Sequence, residues 1–255
     1  GRVLVIIQSI TTGDPTGLSL AVAAILVTIV IFLVIVWAQS LKVEIPLSYD
    51  RLRGYGIKWP LSFFYASVIP VILVSALAAN LQLFASLLVN WLRRPTFLGS
   101  FSNGTPTSGI VFWLSSSDLV NAAITKSLTS TILLQGAIHL VFYMLFAVVF
   151  SVFWVKTTGM DAAGQARNIL GSGLQIPGFR KDERVLESIL SRYIMPLTVM
   201  GGLAIGALAS IANLLGALAG GTSILLAVMI TYNLYQNIAQ QHAVDMHPAL
   251  RKMMG

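Results

Sequence analysis

Three basic side chains, Arg51, Arg53 and Lys58, stand close together just before a long apolar segment. Arginine carries a planar fork of N–H donors that is always charged and that binds phosphate in a bidentate manner. A further arginine, Arg180, ends the turn-forming stretch GSGLQIPGFR at 171–180. These residues predict either a surface that contacts a phosphate-rich partner or only the basic flanks that orient membrane helices.

Polar chemistry inside the apolar segments includes a proline, a few amides and one histidine. Pro70 lacks a backbone N–H, so we expect it to weaken its helix locally. Asn80 is expected to hydrogen-bond to another helix, an interaction that contributes about 0.6 kcal/mol on average in membranes. His139 is expected to be a hydrogen-bonded packing residue, and Gln82 and Gln135 could extend a polar seam.

The acidic residues all lie outside the long apolar segments. They are Asp14, Glu44, Asp50, Asp118, Asp161, Asp182, Glu183, Glu187 and Asp245. Transporters driven by protons or sodium ions usually bury a carboxylate in the membrane to hold the cation. The chain also has no cysteine and carries no HExxH, GxSxG or phosphate-loop motif. The sequence therefore predicts no catalytic residues, no metal site and no cofactor.

Composition assigns these motifs to a membrane protein. Of the 255 residues, 56% are hydrophobic and only 10% are charged, whereas about a quarter of a soluble domain is charged. A membrane span needs about 20 apolar residues, and the last apolar window is long enough to fold back at the glycine-rich stretch LGALAGGTS. The predicted fold is an all-α membrane protein with five spans, at about 18–39, 64–89, 130–154, 192–214 and 222–241.

The loops carry the asymmetry of positive charge that orients membrane proteins. Loops 40–63 and 155–191 and the C-terminus, counted with Arg192 at the adjoining start of the fourth span, hold twelve Lys and Arg residues, whereas loop 90–129 and the N-terminus hold four. We therefore expect the first group to be cytoplasmic and loop 90–129 to be external. Because no signal-peptide pattern accompanies the external N-terminus, we also expect further helices to precede this sequence.

Two of the loops are expected to be structured. In the second cytoplasmic loop, DAAGQARNIL and RKDERVLESILSR are each predicted to form a short helix, the second leading into the fourth span. In the external loop, TSGIVFWLSSSDLV is apolar but too short to span, so it is predicted to be an interfacial or re-entrant segment.

Four motifs together resemble one known family. They are IPLSYDRLRGYG, SVIPVILVSALAANLQL, GSGLQIPGFR and GGTSILLAVMITYNLYQNIAQQ. With the motifs in this order, the sequence resembles the C-terminal half of SecY-family proteins, which are the central subunits of the protein-conducting channel of the Sec translocon. Asn80 within its span makes the archaeal or eukaryotic type the better match. The five spans would then be the sixth to tenth of a ten-helix channel.

The resemblance implies roles for residues in the membrane. Ile72 and Leu226 would belong to a ring of aliphatic side chains at the waist of the pore, which cannot coordinate ions and tends to dewet. Pro70 and Asn80 would lie in the lateral gate, whose wall the second and third spans would form. Ordinary helix packing is the alternative for Ile72 and Leu226, and a packing kink and a satisfied amide are the alternatives for Pro70 and Asn80.

The resemblance also implies partners. Arg51, Arg53 and Arg180 would dock a ribosome or another cytosolic motor. The other partners would be the N-terminal half of the same channel, two small Sec subunits (one of them SecE-like), signal sequences, translocating polypeptides and the lipid bilayer. The expected location is the plasma membrane of a prokaryote, in particular an archaeon, or the endoplasmic reticulum of a eukaryote.

A secondary transporter with a proline-broken helix at its substrate site is the alternative function. It predicts a carboxylate within the membrane, which this sequence lacks. Two projecting basic loops favour a protein that docks a large anionic partner, because a transporter has no need of them.

Overall fold

The structure is a computed structural model, and it describes residues 7, 9, 11, 13, 15–49, 56–102, 104–175 and 182–246. Arg51, Arg53 and Arg180 lie outside the described residues. The elements are α1 Pro15–Ser40, β1 Lys42–Tyr49, β2 Gly56–Ser62, α2 Ile69–Leu92, β3 Ser100–Ser102, β4 Thr105–Ser108, α3 Ile110–Leu114, α4 Leu119–Ile124, α5 Ser130–Thr157, α6 Ala162–Gly171, β5 Leu174–Gln175, α7 Glu183–Leu214 and α8 Gly221–Met246.

Four helices in the described part of the chain are long and apolar enough to cross a membrane, namely α1, α2, α5 and α7. Helix α8 is also long, but its second half is rich in amides, as in YNLYQNIAQQ. The fifth span therefore remains a prediction. From Glu183 onward, the predicted helix at 180–192 continues into the fourth span, and together they form one helix, α7, of 32 residues.

The apolar residues of α5 show why these helices suit lipid. Val141, Leu145, Val149 and Phe153 follow one another at intervals of four residues, and each is more than half exposed. Residues four apart share one helix face, so α5 carries a continuous apolar stripe. Such a stripe is costly in water and compatible with acyl chains.

Helices α5 and α7 pack closely because small residues line their contact. A methyl group added at Gly206 would lie 2.7 Å from the Tyr143 carbonyl oxygen. A methyl group added at Gly202 would lie 2.7 Å from Ser151 Oγ. Small residues let helix backbones approach closely in membranes, where van der Waals packing drives association.

The prediction of an all-α fold omitted short strands in the loops. Strands β1 and β2 form an antiparallel hairpin, and β5 pairs with the other edge of β1 through Ser48–Gln175 and Tyr49–Leu174. Pro46 lies in the middle of β1 and cannot donate to a second partner strand, and β5 pairs with β1 only beyond it. The described strands of loops 40–63 and 155–191 are thus joined in one hydrogen-bonded sheet.

The main core cluster consists mainly of buried apolar side chains of α1, α2, α5, α7 and α8. A second buried cluster supports the sheet. Leu186, Leu190 and Ile194 of α7 pack with Ile45 and Leu61 of the hairpin. Next to them, the hydroxyl of Tyr65 donates to the carbonyl oxygen of Met160 at 2.5 Å. Burial, and secondarily the carboxylate of Asp161, raises the pKa of Tyr65 to about 12, so the phenol remains a donor.

Candidate functional site

Pro70 does not break its helix. It occupies the first turn of α2, which begins at Ile69 rather than near residue 64. The first four N–H groups of a helix have no acceptor within the helix, so proline there removes no hydrogen bond and its fixed φ favours initiation. The expectation of local weakening at Pro70 is therefore wrong. In the part of the chain that the structure describes, the proline in a helix interior is Pro196 of α7, a position that no sequence motif marks.

Helices α2 and α8 run antiparallel, as two side-chain contacts between them show. Ser67, just before α2, contacts the sulfur of Met229 at 3.9 Å. Ser75, further along α2, contacts Thr222 at the start of α8 at 2.7 Å. By this register, Ile72 lies at about the level of Leu226 along the two helix axes.

The side chains of Ile72 and Leu226 differ in their surroundings. Ile72 is half-buried and packs against the main core cluster, whereas Leu226 is 38% exposed. The two sequence neighbours of Leu226 also differ in exposure: Leu225 is buried and Ala227 is exposed. Leu226 thus lies at the border between the core of the chain and its open surface.

A group of three hydroxyls links the helices beside these residues. Ser75 Oγ lies 2.7 Å from Thr222 Oγ1 and 3.4 Å from the hydroxyl of Tyr143 on α5. The group therefore connects α2, α5 and α8. Sequence reasoning missed it, because Ser75 and Thr222 are 147 residues apart and neither has a distinctive sequence context.

Asn80 is exposed, and its side chain forms no hydrogen bond with any residue that the structure describes. The expected bond to another helix is therefore not formed within this part of the chain. The reason is geometric: Asn80 follows Ser75 by five positions, or about 140° around an ideal helix, so it points away from α5 and α8. Gln82 is also exposed and lines a groove of about 610 Å³ between α2 and the β3–β4 hairpin.

Gln135 and His139 are buried, and both side chains bind loop 90–129 rather than forming a seam along α2. Gln135 Nε2 donates to the carbonyl oxygen of Phe112 at 2.8 Å, and His139 Nδ1 lies 2.6 Å from the carbonyl oxygen of Leu114. A carbonyl only accepts, so Nδ1 carries the proton in this bond. The expectation that His139 is a hydrogen-bonded packing residue is confirmed, and TSGIVFWLSSSDLV contains the short helix α3 fastened to α5.

The acidic side chains that the structure describes are exposed or half-buried. Glu183 and Glu187 lie in the first two turns of α7, and Asp118 caps α4 at its N-terminus. In the described part of the chain no group of three His, Cys, Asp or Glu side chains could hold a metal ion.

Comparison with known families identifies the chain. The SecY family model matches residues 3–235. A protein translocase subunit SecY of Haloferax volcanii is 41% identical over 240 residues, which cover 91% of this chain and 49% of that protein. The corresponding subunits of Methanocaldococcus jannaschii and Pyrococcus furiosus are 39% and 38% identical, with coverage of 91% and 100% of this chain and 52% and 54% of theirs.

Two solved structures match the fold. One is described as the structure of a protein conducting channel, the other concerns the plug domain of the SecY protein and the closed state of the translocation channel. Each has a TM-score of 0.76 and 37% identity over 98% of this chain and 56% of the solved chain. The chain thus spans about half the length of these relatives, and the mostly helical, channel-type fold is confirmed. This chain belongs to the SecY family.

Proposed function

We propose that this chain forms the C-terminal half of the wall of a protein-conducting channel, through which secretory polypeptides cross a membrane and membrane proteins enter it laterally. The match of residues 3–235 to the SecY family model carries this proposal, because the relatives are named as translocase subunits. The chain acts as a channel component rather than an enzyme. The relatives give no support to the alternative of a secondary transporter.

Ile72 and Leu226 contribute to the pore ring in this proposal. Their similar level on α2 and α8 supports it, since residues of one ring must lie at one depth. The exposure of Leu226 at the edge of the core also supports it. Aliphatic side chains at a constriction exclude ions by dewetting and make no specific contact with the polypeptide that passes.

The lateral gate is formed by α2 together with α5, and Pro70 and Asn80 belong to it. Pro70 fixes the first turn of α2, which gives the gate helix a defined start. Asn80 presents an unbonded amide on the open side of α2. We propose that its partner belongs to the N-terminal half of the channel.

The unit of β2, β1 and β5 is the platform for docking a ribosome or other cytosolic motor through Arg51, Arg53 and Arg180. The pairing of β1 with β5 supports this, because the segments that carry the arginines continue from paired strands. The remaining partners are the two small Sec subunits, signal sequences, translocating polypeptides and lipid. The location is the plasma membrane of an archaeal cell, with the C-terminus in the cytoplasm.

Ion conductance of the closed channel tests the function. In the full-length channel in planar bilayers, Ile72→Asn or Leu226→Asn is expected to raise the resting conductance, because an amide hydrates the constriction. Ile72→Val and Leu226→Ile keep the aliphatic surface and serve as matched controls. Resting conductance that stays at the wild-type value in both amide variants would contradict the pore-ring role.

A further inference from the structure

We propose that the C-terminal end of α2 carries a binding site for the phosphate of an anionic lipid headgroup, formed by Arg93 and Arg94. The proposal depends on α2 crossing the membrane and not on the channel activity. Both arginines directly follow the last helical residue, Leu92. Both are exposed, and within the described chain neither guanidinium forms an ion pair.

The length of α2 places these arginines at headgroup depth. Its 24 residues extend about 36 Å, slightly more than the ~30 Å of the hydrocarbon core. Side chains just beyond its end therefore lie where lipid phosphates lie. Two aromatic residues mark the same level, since Trp91 is 84% exposed and Phe97 is 75% exposed. Exposed tryptophan and other aromatic side chains are typical of the membrane–water interface.

The arginines border a groove large enough for a headgroup. It has a volume of about 620 Å³ and lies between the end of α2 and strand β3, where Asn90 and Ser100 add neutral polar groups to the two guanidiniums. Two positive charges outweigh the roughly half negative charge of the helix C-terminus. Because arginine binds phosphate in a bidentate manner, the groove is suited to a phosphodiester.

Apolar side chains next to the groove favour lipid over free phosphate. Val89, Pro95 and Phe101 line the groove beside the two arginines. A bound lipid could lay its acyl chains against these side chains while its phosphate contacts the guanidiniums. Inorganic phosphate would gain nothing from this apolar surface.

Lipid retention by the full-length channel in nanodiscs tests the site. The discs contain phosphatidylcholine with increasing phosphatidylglycerol, and native mass spectrometry counts the phosphatidylglycerol that stays bound. Arg93→Asn and Arg94→Gln are each expected to weaken this binding about fivefold, the scale of one basic residue at an anionic membrane surface. Asparagine is chosen because Arg93 has φ of 53°, which asparagine tolerates.

Lys126→Asn is the matched control. Lys126 also has a positive φ, of 55°, and lies in the same predicted external loop as Arg93 but does not line the groove. Retention should stay at the wild-type level in this variant. The proposal is overturned if Arg93→Asn and Lys126→Asn retain phosphatidylglycerol equally. It is also overturned if millimolar inorganic phosphate displaces the bound lipid, since the site would then take free phosphate.

Discussion

Ser75 Oγ on α2 lies 2.7 Å from Thr222 Oγ1 on α8, a hydroxyl pair that fastens the two helices one turn away from Ile72 and Leu226. This bond lies at the start of α8. At the preceding residue, the carboxamide oxygen of Asn213 accepts the Gly221 N–H at 2.7 Å. The first turn of α8 is thus held both to α2 and to the end of α7. This pair fixes the register in which Ile72 and Leu226 reach a similar depth.

Disrupting this pair should destabilise the channel by a small, coupled amount. Ser75→Ala and Thr222→Val each remove the bond, and hydrogen bonds between membrane helices contribute about 0.6 kcal/mol on average. A double-mutant cycle on the unfolding free energy of the full-length channel in detergent should yield a coupling of about that size. Ser86→Ala is the control, because its hydroxyl bonds only within its own helix, to Leu83. Strictly additive losses would show that the two hydroxyls do not interact.

The long helices could be predicted from the sequence because an apolar run of sufficient length has few alternatives in a membrane. Helix α5, expected at 130–154, is found at Ser130–Thr157. The strands could not be predicted, because β5 has only two residues and depends on pairing with a strand 125 positions earlier. Local sequence carries no signal for such a contact.

The site residues show the same division between local and distant information. That Ile72 and Leu226 lie at a similar depth follows from the register between α2 and α8. Only the contacts between the two helices reveal this register. The apolar run begins several residues before α2 does, so the sequence predicts Pro70 in a helix interior, whereas it lies in the first turn. The surroundings of the amides could not be predicted either, since Gln135 binds loop 90–129 whereas Asn80 faces away from the rest of the described chain. Residue type alone does not indicate which face of a helix is covered.

The close contact of α5 and α7 predicts that Gly206 does not tolerate a side chain. In Gly206→Ala the new methyl group would lie 2.7 Å from the Tyr143 carbonyl oxygen and 2.9 Å from Ala147 Cβ. Because both neighbours belong to a packed helix, we expect a loss of about 1–3 kcal/mol in unfolding free energy, measured by thermal melting in detergent. Gly171→Ala in α6 is the matched control, since nothing lies within 4 Å of its added methyl group. Equal melting temperatures for the two variants would exclude this packing constraint.

The exposed amide of Asn80 predicts an effect on the signal sequences that open the gate. If Asn80 bonds to the N-terminal half in the closed channel, Asn80→Leu removes about 0.6 kcal/mol that opening must overcome. This is slightly less than the burial of one methylene group, about 0.8 kcal/mol. The minimum signal hydrophobicity for translocation should therefore fall by about one methylene equivalent, measured with a graded set of signals. Gln82→Leu also replaces an amide by leucine, but on another side of α2, and should leave the threshold unchanged. An unchanged threshold in both variants would show that Asn80 has no partner in the gate.

The proposed docking of a ribosome by the second cytoplasmic loop predicts a specific salt dependence. Arg180→Glu should weaken ribosome binding to the full-length channel, because one arginine–phosphate contact is lost and a repulsive charge is added. Each lost phosphate contact also releases one counterion fewer, so the slope of log affinity against log salt concentration should become shallower by about one. Arg184→Glu is the matched control, because Arg184 is exposed in the first turn of α7. This substitution changes the charge of loop 155–191 by the same amount as Arg180→Glu. Cosedimentation with ribosomes over a salt series distinguishes docking by Arg180 from a general charge effect. A general charge effect would weaken ribosome binding by both variants alike, whereas docking through Arg180 changes the affinity and the salt slope only in Arg180→Glu.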